Sequence, residues 1–269
     1  MDSSRLVEAA EMSLRDMRLV FRRDGFDEDF VKGAMIELLR ALDFLHIHGE
    51  VVHTGTACSS ILFITSKKNY QLPRLMRPNE GPILLSDFGE ARIGPGPHGG
   101  DITPLEYRTP ETLHYVGWSD PVDIWSVGLT PCPSQANAIS VQAWDLLEPK
   151  RLFTARDEDG DLYDAAHLAQ HIAALGPPPP GFLARNPERK ADFWDELVQF
   201  MRRKTSSKLL LSLSILIIDR TMEALETRLE DNTGFLRFIR RALTWLPKEG
   251  ATAKQLLQDP WLTGERTCS

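Results

Sequence analysis

Between Phe30 and His46 the apolar residues Phe30, Val31, Ala34, Met35, Leu38, Leu39, Leu42 and Leu45 recur at steps of three and four. On a helix of 3.6 residues per turn they cover one wide face, so the spacing predicts a helix sunk into a core. A helix this apolar must be surrounded by other elements. The chain can supply them: it has 269 residues, 42% hydrophobic and 26% charged, enough for one domain with a substantial interior and unlike a disordered chain.

The flanking patterns are mostly helical as well. Leu6, Ala9, Ala10, Leu14, Met17 and Val20 predict an amphipathic helix over residues 4–23, ending before Asp24-Gly25. Gly49 stops the central helix, and Val51-Val52, Ile61–Ile64 and Ile83–Leu85 read as short strands around polar loops. Residues 94–100 (GPGPHGG) break both ladders and form a loop. Asp123 to Leu129, with Trp125, opens a buried helix that Pro131 and Pro133 interrupt, since a proline inside a helix costs about 3 kcal/mol. The pattern resumes at Ala143-Trp144. Further helices are expected at Asp164–Leu175, ended by Gly176 and an extended Pro177–Pro180 run, at Phe235–Trp245, and at Thr252–Leu257 with Thr252 as cap.

Charge and cysteine content exclude several classes. A formal net charge of −7 with no basic cluster argues against nucleic acid as a partner. Cys58, Cys132 and Cys268 have neither the number nor the spacing of a disulfide or zinc framework. Met1 to Ala10 lacks the apolar stretch of a leader, so a cytoplasmic or nuclear location is expected. The greasy run Leu209–Ile218 falls well short of the roughly 20 apolar residues a membrane span needs, and a buried strand or helix is its ordinary reading. No membrane association is expected.

Several fragments then fall in a telling order. Leu42-Asp43-Phe44-Leu45-His46, Val52-His53-Thr54, Ile61-Leu62-Phe63 and Leu85-Ser86-Asp87-Phe88-Gly89 resemble the helix, catalytic loop and metal loop of protein kinases. Thr109-Pro110-Glu111 is similar to the A-P-E element, and Asp123-Ile124-Trp125-Ser126-Val127-Gly128 to the buried helix of the same lobe. Arg151-Leu152-Phe153, His167-Leu168-Ala169-Gln170, Leu175-Gly176-Pro177-Pro178-Pro179 and Asp259-Pro260-Trp261-Leu262 resemble the SR-protein kinases of the CMGC group. The resemblance implies a mainly α, protein-kinase-like C-lobe over residues 1–262 with a few short strands around the catalytic and metal loops, followed by a tail at 263–269. No glycine-rich loop or V-A-I-K-like strand precedes His53, so the N-lobe is expected to be absent and the domain truncated.

Phosphoryl transfer works by positioning and charge stabilisation, with ATP and Mg²⁺ as the family's cofactors. The resemblance makes Asp87 the Mg²⁺ ligand, with Phe88, Gly89, Glu111 and Asp123 in structural roles, Asp123 as acceptor for backbone N–H groups of the catalytic loop. In that loop, His53, Thr54, Gly55, Ala57 and Ser60, the family's catalytic aspartate, lysine and metal-binding asparagine fall on Gly55, Ala57 and Ser60. Glycine can neither accept a proton nor orient a hydroxyl. The arginine that pairs with the A-P-E glutamate falls on Gly250, which leaves Glu111 without its partner. Cys58 with His53 as a nucleophile pair lacks an oxyanion hole and a third orienting group, and His46, His48, His53 and His98 match no metal-ligand spacing.

Residues 131–142 and about 203–220 have no counterpart in the family and read as inserted sequence; untranslated sequence joined into the chain is favoured over surface insertion. The expected function is that of a pseudokinase, impaired in ATP binding and phosphotransfer and acting through a protein or peptide partner on its C-lobe. The alternative is an ATP- and Mg-dependent kinase of serine or threonine in arginine/serine-rich proteins.

Overall fold

The computed structural model of the chain describes residues 10–13, 26–55, 61–64, 83–128, 143–148, 150–157, 159–194 and 221–264. The central helix α1 runs Glu28–Phe44 and widens into a π-turn over Leu45–Gly49. Glu28 and Asp29 stand in its first turn, where the helix dipole favours negative charge. Glu50, at φ 49, turns the chain left-handed and ends it. Its buried face is Val31, Ala34, Met35, Leu38, Leu39 and Leu42, six of the eight positions that the spacing singled out. Each fully buried side chain of this size contributes on the order of 2 kcal/mol.

Five short strands follow in two antiparallel sheets. Strands β1 (Ala10–Ser13), β3 (Ile61–Ile64) and β4 (Ile83–Leu85) form one in the order β1-β3-β4; β2 (Val51–Val52) and β5 (Arg92–Ile93) pair as the other. Strand β1 corrects, at Ala10–Ser13, the helix expected over residues 4–23, the rest of which lies outside the described residues. Ala10–Ser13 lie on β3 with an irregularity between Ala10 and Met12, so ladder hydrogen bonds to a partner some 50 positions away override the local helical spacing.

The remaining elements are helices: α2 (Pro110–Leu113), α3 (Pro121–Gly128), α4 (Ala143–Leu147), α5 (Asp164–Leu175), α6 (Pro180–Leu183), α7 (Pro187–Phe193), α8 (Met222–Leu225), α9 (Asn232–Ala242), α10 (Ala253–Leu257) and α11 (Pro260–Thr263). Helix α1 packs on α3, α4, α10 and α11, and α9 closes the bundle against α3 and α11. Trp144, Trp261, Phe235 and Phe238 fill the space between them. A second cluster, Leu113, Ala165, Leu168, Phe182, Leu183, Phe193, Trp194 and Trp245, sits under α2 and α5 to α7. Pro180 does not continue the extended proline run but opens α6, where its fixed φ and missing N–H fit the first helical position. Residues 131–142, 203–220 and the apolar run 209–218 lie outside the described residues. Among those described, no helix is long and apolar enough to cross a membrane.

Caps and ion pairs fix the lower half. Thr252 and Gln255 form a reciprocal capping box at α10. The fully buried Asp259 accepts Trp261 N–H at 3.0 Å, Arg237 at 3.1 Å and Arg241 at 2.6 Å. Burial alone would raise its pKa, yet the Trp261 amide and the two guanidinium groups hold it below the ordinary aspartate value. His171 on α5 is also fully buried, against Trp125, Phe153, His167 and Trp245. Neither of its ring nitrogens finds a hydrogen-bond partner, and burial, followed by the neighbouring His167, pushes its pKa well down, so the ring is neutral.

Candidate functional site

The β2–β5 pair brings two loops together. Val52 faces Arg92, so the chain leaving β2 at His53 runs beside Ser86–Glu90, which leads into β5. Helix α3 comes up beneath, carrying Asp123 near its start with no exposure to solvent. The Asp123 carboxylate accepts the backbone N–H of His53 at 2.7 Å and of Thr54 at 2.8 Å, and His46 Nε2 lies 3.0 Å from the same group. Three donors thus converge on one buried anion, which satisfies a charge that would otherwise be costly there.

Those bonds set the loop's conformation. Thr54 takes φ 62, a left-handed value that a β-branched residue rarely adopts and that costs of order 1–3 kcal/mol. Its amide on Asp123 and its hydroxyl, which donates to Glu90 O at 2.7 Å, hold it there. His53 is fixed from both sides: Nδ1 accepts Gly55 N–H at 3.3 Å, so Nε2 carries the proton and donates it to Ser86 O at 2.9 Å. The imidazole meets Phe88 edge-on at 4.7 Å between centroids.

Asp87 also lies in the left-handed region, at φ 67, and is exposed, ahead of the short 3₁₀ turn Phe88–Glu90. Mg²⁺ at nucleotide sites is held by one or two carboxylates together with phosphate oxygens. Asp87 provides one such carboxylate, and among the described residues no group of three histidine, cysteine, aspartate or glutamate side chains could hold a metal ion. The residues present therefore fit a metal only as one ligand beside a bound nucleotide. Ala57 and Ser60, with Cys58, lie outside the described residues.

At Gly55 a Cβ would meet nothing within 4 Å. Among the described residues, the loop is open at Gly55 while His53 and Thr54 before it are tied down. Phe88 and Gly89 line the turn after Asp87 and are exposed.

Glu111, on α2, lies away from this loop and is buried at 3% exposure. Desolvation raises its pKa to about 7 against the opposing pull of its backbone, the Thr109 hydroxyl and Arg185. At Gly250 a Cβ would approach Thr244 Oγ1 at 3.1 Å and Pro247 O at 3.5 Å, and no side chain reaches from there toward Glu111. Sequence reasoning reached Gly55, Asp87, Asp123 and Glu111 but missed His46 as a partner of Asp123. Its place in Leu45-His46, directly after the central helix, was the available signal.

The protein kinase domain family model matches residues 4–262. A serine/threonine protein kinase of Aspergillus fumigatus is 34% identical over 270 residues, covering 94% of this chain and 63% of that protein. The dual specificity protein kinase CLK4 of Homo sapiens is 26% identical over 249 residues, covering 88% of this chain and 45% of its own length. The chain thus spans less than two thirds of these relatives. The solved kinase domain of PF14_0431 superposes with a TM-score of 0.69 at 21% identity, over 94% of this chain and 71% of that one, and shows the same fold.

Proposed function

The chain belongs to the protein kinase domain family, and we propose that it is a member impaired in phosphotransfer, which acts by binding a protein or peptide partner on its helical lobe. The observation that carries this reading is the contrast within one loop. Asp123, His53, Thr54 and Glu90 hold the backbone in a strained, well-bonded conformation, while the position for a proton acceptor, Gly55, has no side chain. The frame is kept and the chemistry is not. Residues 1–52 contain no glycine-rich loop motif and no V-A-I-K-like lysine of the kind that clamps ATP phosphates, which supports weak nucleotide binding by this stretch.

A second reading has its own support: Asp87 stands ahead of Phe88-Gly89 in a left-handed conformation, and the Aspergillus relative is named a serine/threonine protein kinase. On that reading the chain transfers phosphate from ATP with Mg²⁺ to serine or threonine in arginine/serine-rich proteins. Incubating the purified chain with ATP, Mg²⁺ and an arginine/serine-rich peptide, with nucleotide titrated in parallel by thermal shift, separates the two. No transfer and no nucleotide-dependent shift are expected. Transfer that disappears in Asp87→Ala would establish the second reading instead.

A further inference from the structure

Three parts of the chain meet around one small cavity: Glu111 of α2, Trp125 of α3, and Thr244, Pro247 and Gly250 of the segment between α9 and α10. Gly250 leaves its side of the cavity open, since a Cβ there would stand 3.1 Å from Thr244 Oγ1 and 3.5 Å from Pro247 O. The free space amounts to about 10 Å³ for the centre of a water-sized sphere, which is room for one water and for nothing larger. The lining is polar in one respect that the protein itself does not satisfy. Trp125 is buried, and its Nε1–H has no hydrogen-bond partner. An indole nitrogen can only donate, so a buried one needs an acceptor. Thr244 Oγ1 spends its proton on Leu246 O at 2.9 Å and keeps lone pairs for a second bond.

This combination selects its occupant. Trp125 offers a donor, while Thr244 Oγ1 and Pro247 O offer acceptors. Glu111 changes sides: its carboxyl holds a proton below about pH 7 and gives it up above, so it donates in one state and only accepts in the other. An ammonium ion cannot accept from the indole. A halide cannot donate to the oxygens. A molecule that does both, at the size of the cavity, is water, and internal waters make about three hydrogen bonds of this kind. We propose that the cavity is the site of one internal water, which accepts the Trp125 Nε1–H and bonds to the Glu111 carboxyl and to Thr244 Oγ1 or Pro247 O. The water joins α2, α3 and the α9–α10 segment at the place where Gly250 supplies no side chain to do so. This site is independent of the catalytic loop, and it stands or falls separately from the function proposed above.

The test uses the full chain, in crystals and in solution. A crystal structure at a resolution that shows ordered solvent should place one solvent peak about 2.7–3.2 Å from Trp125 Nε1 and from a carboxyl oxygen of Glu111. In solution the indole N–H of Trp125, assigned by its disappearance in Trp125→Phe, should show an NOE to water with the sign of a bound, slowly tumbling molecule, on both sides of neutral pH. Gly250→Ala puts a methyl group into the cavity. The NOE should then vanish and Tm should fall by about 3 °C, because the indole N–H loses its acceptor. Thr244→Val removes the hydroxyl whose exchanging proton could relay the signal, and there the NOE should persist. A cavity without a solvent peak, or an indole N–H without a water NOE in the unaltered chain, overturns the site. So does an NOE that survives in Gly250→Ala or is lost in Thr244→Val.

Discussion

His46 Nε2 stands 3.0 Å from the carboxylate of Asp123, joining the end of α1 to the start of α3 across 77 positions of chain. The same carboxylate carries the amides of His53 and Thr54, so one buried group ties the central helix, the catalytic-type loop and the second core helix together. Asp123→Ala would leave two buried N–H groups without acceptors, at about 1–3 kcal/mol each. A loss of about 4 kcal/mol in urea unfolding is expected, with amide exchange at His53 and Thr54 accelerated even in variants that stay folded. Unchanged protection at these two amides would contradict the role given to Asp123.

Glu111 makes stability depend on pH near neutrality. Its pKa is raised from 4.5 to about 7 by desolvation, so the folded state holds the proton more tightly than the unfolded one. The stabilisation is complete below pH 4.5 and is lost as pH rises through about 7, which amounts to roughly 3 kcal/mol at 1.36 kcal/mol per unit. Denaturation midpoints should fall from pH 5 to about pH 7 and level off toward pH 8. In Glu111→Gln that slope should flatten.

Asp259 has the opposite sign. Its carboxylate is held below the ordinary value of 3.8 by the Trp261 amide, Arg241 and Arg237 against the cost of burial, so its contribution is present above that value and is lost as pH falls through the lowered pKa. Asp259→Ala should cost about 2 kcal/mol, because it removes two partly exposed ion pairs and uncaps α11. The near-UV dichroism of Trp261, which packs at a tilt against Phe235 and Phe238, reports the loss.

His171 is a polar ring in an apolar nest with both nitrogens unpartnered. Replacing it by Phe removes two unmet hydrogen-bonding groups while keeping the ring contacts with Trp125 and Phe153. A gain of about 1–2 kcal/mol is expected by thermal or chemical unfolding. Destabilisation by more than the ring's small increase in volume allows would mean that the histidine has a partner.

Gly55→Asp should be tolerated, since nothing lies within 4 Å of the added Cβ. A stability change within about 0.5 kcal/mol is expected, as for an open surface site. Phosphotransfer should remain absent, because the lysine clamp has no candidate in residues 1–52. Rescue of transfer would overturn the impaired reading.

Much of the fold was legible because long helices advertise their period: α1 and α5 emerge where the spacing puts them. Strand β1 did not, because four residues cannot show an alternation and its pairing depends on β3 far along the chain. The short helices α2 and α7 were overlooked for the same reason of length. Each nevertheless carries a readable start, a capping side chain followed by proline, in Thr109-Pro110 and Asn186-Pro187. In the site, motif order located Asp87, Gly55 and Asp123. The burial of His171 and its contact with His167 could not be read from sequence, since only packing decides which histidine loses its water.

The open space at Gly55 and the strained Thr54 beside it divide the loop in a way that saturation mutagenesis would expose. At Gly55 no atom of the described residues crowds an added Cβ. One position earlier, drift is closed off, because only a residue that tolerates a positive φ and still reaches Glu90 O with a hydroxyl can stand there. Selection on such a loop would act on its outline, holding Thr54 in place while leaving Gly55 freer to change.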